Sequence, residues 1–272
     1  MDRSPPSLAP FAAIALALAL TGCASQGERE AARFNADGLT QLNLNLFGRP
    51  EQGWAVYAPA VQATVRTKAD PDSTRFAAAV ARWKAQQGLA SNGVVDAATL
   101  IALKADWQAR RPFVALRARG ICPDPPPDDV LAIAAPQETL GGKPIPLRQR
   151  ALWAYRRMVQ AARRAGVTQG DPSLLALFSG YRDPAADAAR CAAEGNCQGI
   201  VRAACSAHRT GLALDLNLGS APGLMVDNSS DANRLYQTRT PAYRWLVRNA
   251  ARFGFVNYVF EPWHWEWTGE AP

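Results

Sequence analysis

Ser206-Ala-His-Arg-Thr-Gly-Leu-Ala-Leu-Asp215 and Glu261-Pro-Trp-His264 hold both histidines of a 272-residue chain, and their reading decides the fold. After Gly211 the run Leu212-Ala-Leu-Asp-Leu-Asn-Leu218 alternates with period two. That spacing predicts a strand with four leucines on one face and Ala213, Asp215 and Asn217 on the other, so Asp215 points away from the leucine core. A chain reversal at Gly211 can return His208 to the side of that carboxylate. Val256-Asn-Tyr-Val-Phe260 predicts a further β segment leading into Glu261-Pro-Trp-His-Trp-Glu-Trp267, where Trp263, Trp265 and Trp267 alternate with His264 and Glu266. Tryptophans so spaced read as core or cleft wall rather than as a cofactor box.

Two neutral imidazoles and one carboxylate form a three-ligand set that leaves a fourth zinc position for water. His208, Asp215 and His264 are the expected ligands. Such a site needs a base that is not itself a ligand, and Glu261 fits. In an unbroken strand Glu261 would face opposite to His264, but Pro262 cannot donate to a central ladder, which argues against a strand running through it. Glu266 shares parity with His264 and is the rival base.

Ser206, His208 and Asp215, followed by Glu261 and His264, resemble the motifs of the VanY-like D-alanyl-D-alanine carboxypeptidases, zinc peptidases of bacterial cell walls. Ser179-Gly-Tyr-Arg182 resembles a third motif of that family, in the right order, and the resemblance spans roughly residues 145 to 268. It implies His208, Asp215 and His264 as zinc ligands, Glu261 as the base and Arg182 approaching the substrate, with Ser206 and Trp263 as further substrate contacts. The implied activity is removal of a terminal D-alanine from peptidoglycan stem peptides. Two alternatives remain open: a zinc endopeptidase cutting within those peptides, and a non-catalytic wall-binding lipoprotein.

Phe11 to Leu20 is an apolar run of the length of a signal-peptide core, too short to span a bilayer. It ends in Leu20-Thr-Gly-Cys23, which resembles a lipoprotein lipobox, so residues 1–22 are expected as a signal peptide and Cys23 as the lipidated residue. The resemblance implies a lipid-anchored envelope protein facing the periplasm, at the outer membrane if the organism is Gram-negative. Residues 23–37 are small and polar and read as a tether. From 38 to 109 the pattern is helical: Phe76, Val80 and Trp83 share a face, Gly88 ends that helix, and Asp96 caps the next. This stretch resembles the small three-helix peptidoglycan-binding domain. Eight prolines between Pro112 and Pro146 exclude long helices, so residues 110–146 read as a Pro-rich linker or a lead-in wrapping the next domain. Residues 147–272 are then the zinc carboxypeptidase domain. Within it Leu147 to Gly166 and Pro241 to Gly254 read as helices and Leu174 to Phe178 as a short strand. The fold class expected is α+β: a small antiparallel sheet with flanking helices, plus a small all-α N-terminal domain.

The formal charge is +7, which suits acidic partners such as the cell wall. No basic run interleaved with aromatics occurs, so nucleic acid is not an expected partner. A monomer is expected. Beyond Cys23, the four cysteines Cys122, Cys191, Cys197 and Cys205 favour disulfides in an exported chain. Three connectivities are possible for four cysteines. The local one joins Cys191 to Cys197 and leaves Cys122 for Cys205.

Overall fold

The structure is a computed structural model that describes residues 24–193, 195 and 205–271. The expected signal peptide, Cys23, Cys197 and Pro272 lie outside the described residues.

The first helix corrects the expected tether. Residues Gln26–Gln41 form α1, opened by a capping box in which Ser25 Oγ accepts from the Glu28 amide and the Glu28 carboxylate accepts from the Ser25 amide. The small residues read as flexible recur at helical spacing, and Ala31, Ala32, Asn35 and Gly38 are buried on one stripe. Asn35 fastens that stripe by donating to the Gly93 carbonyl at 3.0 Å and accepting from the Val95 amide at 2.7 Å. A hairpin of two-residue strands, β1 (Asn43–Leu44) and β2 (Glu51–Gln52), interrupts the expected all-α pattern. Then come α2 (Ala58–Thr64), α3 (Thr74–Gln86), capped by Ser73, and α4 (Ala97–Ala109), capped by Asp96 through its bond from the Thr99 amide at 2.8 Å. Trp54, Tyr57, Phe76, Val80, Leu100 and Leu103 fill the core of this unit. Val259 and Phe260, from the far end of the chain, complete it.

The Pro-rich stretch is an ordered lead-in. It contains α5 (Pro112–Ala118), started by its proline, and β3 (Leu131–Ile133), which pairs antiparallel with β4 (Pro146–Arg148). A disulfide joins Cys122 to Cys205 and so fastens the lead-in just before Ser206. Cys191 is also disulfide-bonded.

The second core lies under a four-stranded antiparallel sheet. After α6 (Gln149–Arg164) follow β5 (Leu177–Ser179), α7 (Pro184–Ala193), β6 (Ala213–Leu216), α8 (Asp231–Arg239), α9 (Pro241–Asn249), β7 (Phe255–Asn257) and β8 (His264–Trp267). The strand order is β5-β6-β8-β7. Leu212, Leu214, Leu216 and Leu218 are all buried, against Leu152, Tyr155 and Met158 of α6 and Tyr243 and Leu246 of α9. Each such side chain stabilises the fold by about 1.5–3 kcal/mol. Trp263, Trp265 and Trp267 belong to the same core. Asp215 stands directly opposite His264 across the β6–β8 ladder. The expected α+β architecture is the one observed, with the helical unit at its N-terminal side.

Candidate metal centre

His208 reaches the sheet from a short helical turn, Ala207–Thr210, which Ser206 opens by accepting from the His208 amide at 3.2 Å. Gly211 closes it in the left-handed region at φ 69°. Ring orientation comes from Gly180: His208 Nδ1 lies 2.6 Å from its carbonyl oxygen. A carbonyl only accepts, so the proton sits on Nδ1 and the Nε2 lone pair is left for the site. Gly180 itself has no room for a side chain, since a Cβ there would come within 2.5 Å of the Pro146 oxygen and of Ile145.

The Asp215 carboxylate stands between the two imidazoles. His208 Nε2 lies 3.3 Å from Oδ2, and His264 Nδ1 lies 2.9 Å from Oδ1. Among the described residues, His208, Asp215 and His264 form a cluster that could hold a metal ion, with ligand atoms within 4.8 Å of one another. All three are buried. The donor set suits a borderline-soft divalent ion that takes nitrogen and oxygen ligands. Burial works against the charge of Asp215, but His208 and His264 outweigh it and hold the carboxyl far below the usual range. Burial pushes His208 down. It opposes the charge of His264 as well, yet Asp215 and Glu266 prevail and push that imidazole up to about 9. A metal bound there would compete with that proton for His264.

Glu266, the rival base, is already engaged by the lead-in. Arg111 Nε donates to its Oε1 at 2.7 Å and the Phe113 amide to its Oε2 at 3.1 Å. Burial opposes its charge, and Arg111 outweighs burial and lowers the carboxyl to about 2. Its Oε1 lies 3.6 Å from His264 Nε2, a carboxylate behind the imidazole of the candidate ligand. Arg111 also lies over the Tyr258 ring, 4.1 Å from the centroid, and no local pattern in the lead-in singles it out.

A cleft of about 610 Å³ opens onto the cluster, lined by His208, Asp215, His264, Glu261, Trp263 and Arg182 among others. Glu261 sits in a tight turn, its amide donating to the Tyr258 carbonyl at 2.8 Å and its carbonyl accepting from the His264 amide at 2.9 Å. This turn, made possible by Pro262, overrides strand parity and places Glu261 on the same cleft as His264. Burial pushes the Glu261 carboxyl up to about 7, in the range of a general base. Arg182 donates through Nη2 to Ser206 Oγ at 3.1 Å, and its Nε lies 3.0 Å from Asp187 Oδ1. Arg117 and Lys143 add positive charge to the rim, with Asp227 opposing them.

A buried two-histidine, one-carboxylate cluster facing a cleft with a glutamate of raised pKa has the donor set and the neighbouring base that a hydrolytic metal centre requires. Residues 144–270 match the family model of VanY, D-alanyl-D-alanine carboxypeptidase. Among solved structures, the chain is similar to the LdcB LD-carboxypeptidase, at 24% identity, covering 46% of this chain and 60% of that one, with a TM-score of 0.33. It is also similar to a mutant of the vancomycin-resistance D,D-pentapeptidase VanY from a VanB-type cassette, in complex with Zn(II), at 22% identity. That match covers 53% of this chain and 83% of the other, with a TM-score of 0.32. No curated protein matches the chain.

Proposed function

We propose that the protein is a zinc D,D-carboxypeptidase that removes a terminal D-alanine from peptidoglycan stem peptides. The observation that carries this reading is the convergence of His208, Asp215, His264 and Glu261 on one cleft, within the stretch that matches the VanY family model. Zinc held by the three ligands would polarise the scissile carbonyl and acidify the attacking water. Glu261 accepts the proton of that water and returns it to the departing amine. Arg182, oriented by Asp187 and Ser206, pairs the terminal carboxylate, and Trp263 walls the cleft. The cationic rim favours an acidic peptide.

One observation favours an endopeptidase as the second reading. Arg182 already has two protein partners, and a guanidinium so held can equally receive a carbonyl or a side-chain carboxylate of the stem. Mass spectrometry of peptidoglycan fragments incubated with the protein separates the two: loss of one alanine supports the first, and a cut into two peptides the second.

The lipobox-like Leu20 to Cys23 supports a proposed lipid anchor in the envelope. Cys23→Ser should release the chain to the soluble fraction or stall its processing, and a normally processed, membrane-bound mutant would overturn the anchor. The peptidoglycan-binding-like stretch supports a wall contact by the helical unit.

A further inference from the structure

Arg234 of α8 is completely buried, at 0% exposure. Its Nη1 donates to Glu51 Oε1, its Nη2 to the Tyr57 hydroxyl and its Nε to the Phe260 carbonyl, each at 2.7 Å. The Tyr57 hydroxyl in turn donates to Glu51, also at 2.7 Å. Asp231, paired with Arg49, is a further acceptor for Nη1 at 3.0 Å. The guanidinium lies over the Phe260 ring, 4.2 Å from its centroid. A buried cation with acceptors on every side is rigid, because losing any one of them strands a charge away from water.

The network spans three distant parts of the chain. Glu51 and Tyr57 belong to the helical unit, at β2 and just before α2, and Arg234 belongs to α8 of the second unit. Phe260 is the residue immediately before Glu261, in the same turn that leads on to His264. Its ring and Val259 are buried in the helical unit's core. One side of this turn is therefore set by residues outside the stretch matching the VanY family model, which begins at residue 144.

We propose that Glu51, Tyr57 and Arg234 are positioning residues of the active site: the helical unit locks Arg234 onto the Phe260 carbonyl and so holds Glu261 at the metal ligands. This rests on Glu261 being the base. A base displaced by about 1 Å can lower turnover by roughly a hundredfold, whereas a binding module would touch only substrate capture.

The test uses the full chain with Tyr57→Phe and Glu51→Gln, both near-isosteric. Val80→Ala serves as a control that weakens the same helical core without touching the network. Turnover per zinc-loaded, folded molecule, well below the melting temperature, should fall about ten- to a hundredfold in the two network variants with KM within about twofold. Val80→Ala should lower the melting temperature and leave kcat unchanged. Amide hydrogen exchange across residues 258–264 should rise in the network variants and stay protected in the control. Unchanged kcat and exchange in Tyr57→Phe and Glu51→Gln, or equal effects in Val80→Ala, would overturn the proposal. If the wild type hydrolyses no stem peptide but exchange responds as expected, the brace stands and the hydrolytic reading fails.

Discussion

His208 is aimed by Gly180: the 2.6 Å contact from Nδ1 to that carbonyl leaves Nε2 facing Asp215 as a lone pair. A histidine fixed in one tautomer before metal arrives has less reorganisation to undergo on binding. Purified protein should therefore carry about one zinc per chain, and His208→Ala or His264→Ala should lose it in elemental analysis. Full metal content in both variants would remove the site.

Glu261→Gln should keep the metal and lower kcat by roughly two to four orders of magnitude. Because burial raises the Glu261 carboxyl, the acidic limb of kcat/KM should rise with pH as Glu261 loses its proton, and this limb should vanish in the variant. The same loss from Glu266→Gln with an active Glu261→Gln would reassign the base.

Arg182 gives the substrate end its own test. A charge-assisted contact to a terminal carboxylate contributes about 1.5–3 kcal/mol, so amidating that carboxylate should lower kcat/KM roughly ten- to 150-fold. Arg182→Lys should lose much of this discrimination, since a point charge does not reproduce the guanidinium fork. Equal cleavage of amidated and free peptides would favour the endopeptidase.

Non-reducing peptide mapping should recover Cys122 linked to Cys205 and Cys191 linked to Cys197. Cys122→Ser should destabilise the chain by about 2–4 kcal/mol. Four alkylatable thiols in envelope-derived protein would refute the bridges.

Glu138 supplies a pH signature away from the metal. Its carboxylate accepts from Arg156 Nε at 2.7 Å and from Nη2 at 2.8 Å, which holds its pKa below the ordinary value of 4.5. A depressed acid contributes stability that is present above its unfolded pKa and is lost as pH falls through the folded one. Arg156→Ala should thus lower the melting temperature at neutral pH, and the gap to wild type should close on acidification below the ordinary carboxylate range. A gap independent of pH would show that Arg156 acts through packing alone.

Much of both units was legible where the information is local. The leucine alternation around Asp215 reports which face is buried, and Asp96 and Gly88 are punctuation that acts within one turn. The tether was misread because composition is blind to spacing: Ala31, Asn35 and Gly38 form a stripe only once the helix exists. Arg111 and Arg234 carry no local signal, since each derives its role from a carboxylate more than 150 positions away, Arg111 with Glu266 at a separation of 155 and Arg234 with Glu51 at 183. Parity read Glu266 correctly, since β8 carries it on the side of His264, but it gave no sign that Arg111 engages that carboxylate; for Glu261 the turn at Pro262 decides instead.

The pairing of Asp215 with His264 across β6 and β8 also bears on how such a chain can change over time. These two groups are 49 positions apart, yet their spacing is fixed by a ladder and not by the length of chain between them. Insertions or deletions in the loops around α8 can therefore reshape the approach to the cleft while the metal geometry stays constant. A one-residue slip of β8 has the opposite character: it would turn His264 to the other face of the sheet and exchange ligands for tryptophans in a single step. Substrate preference is thus free to drift, and the register of two short strands is not.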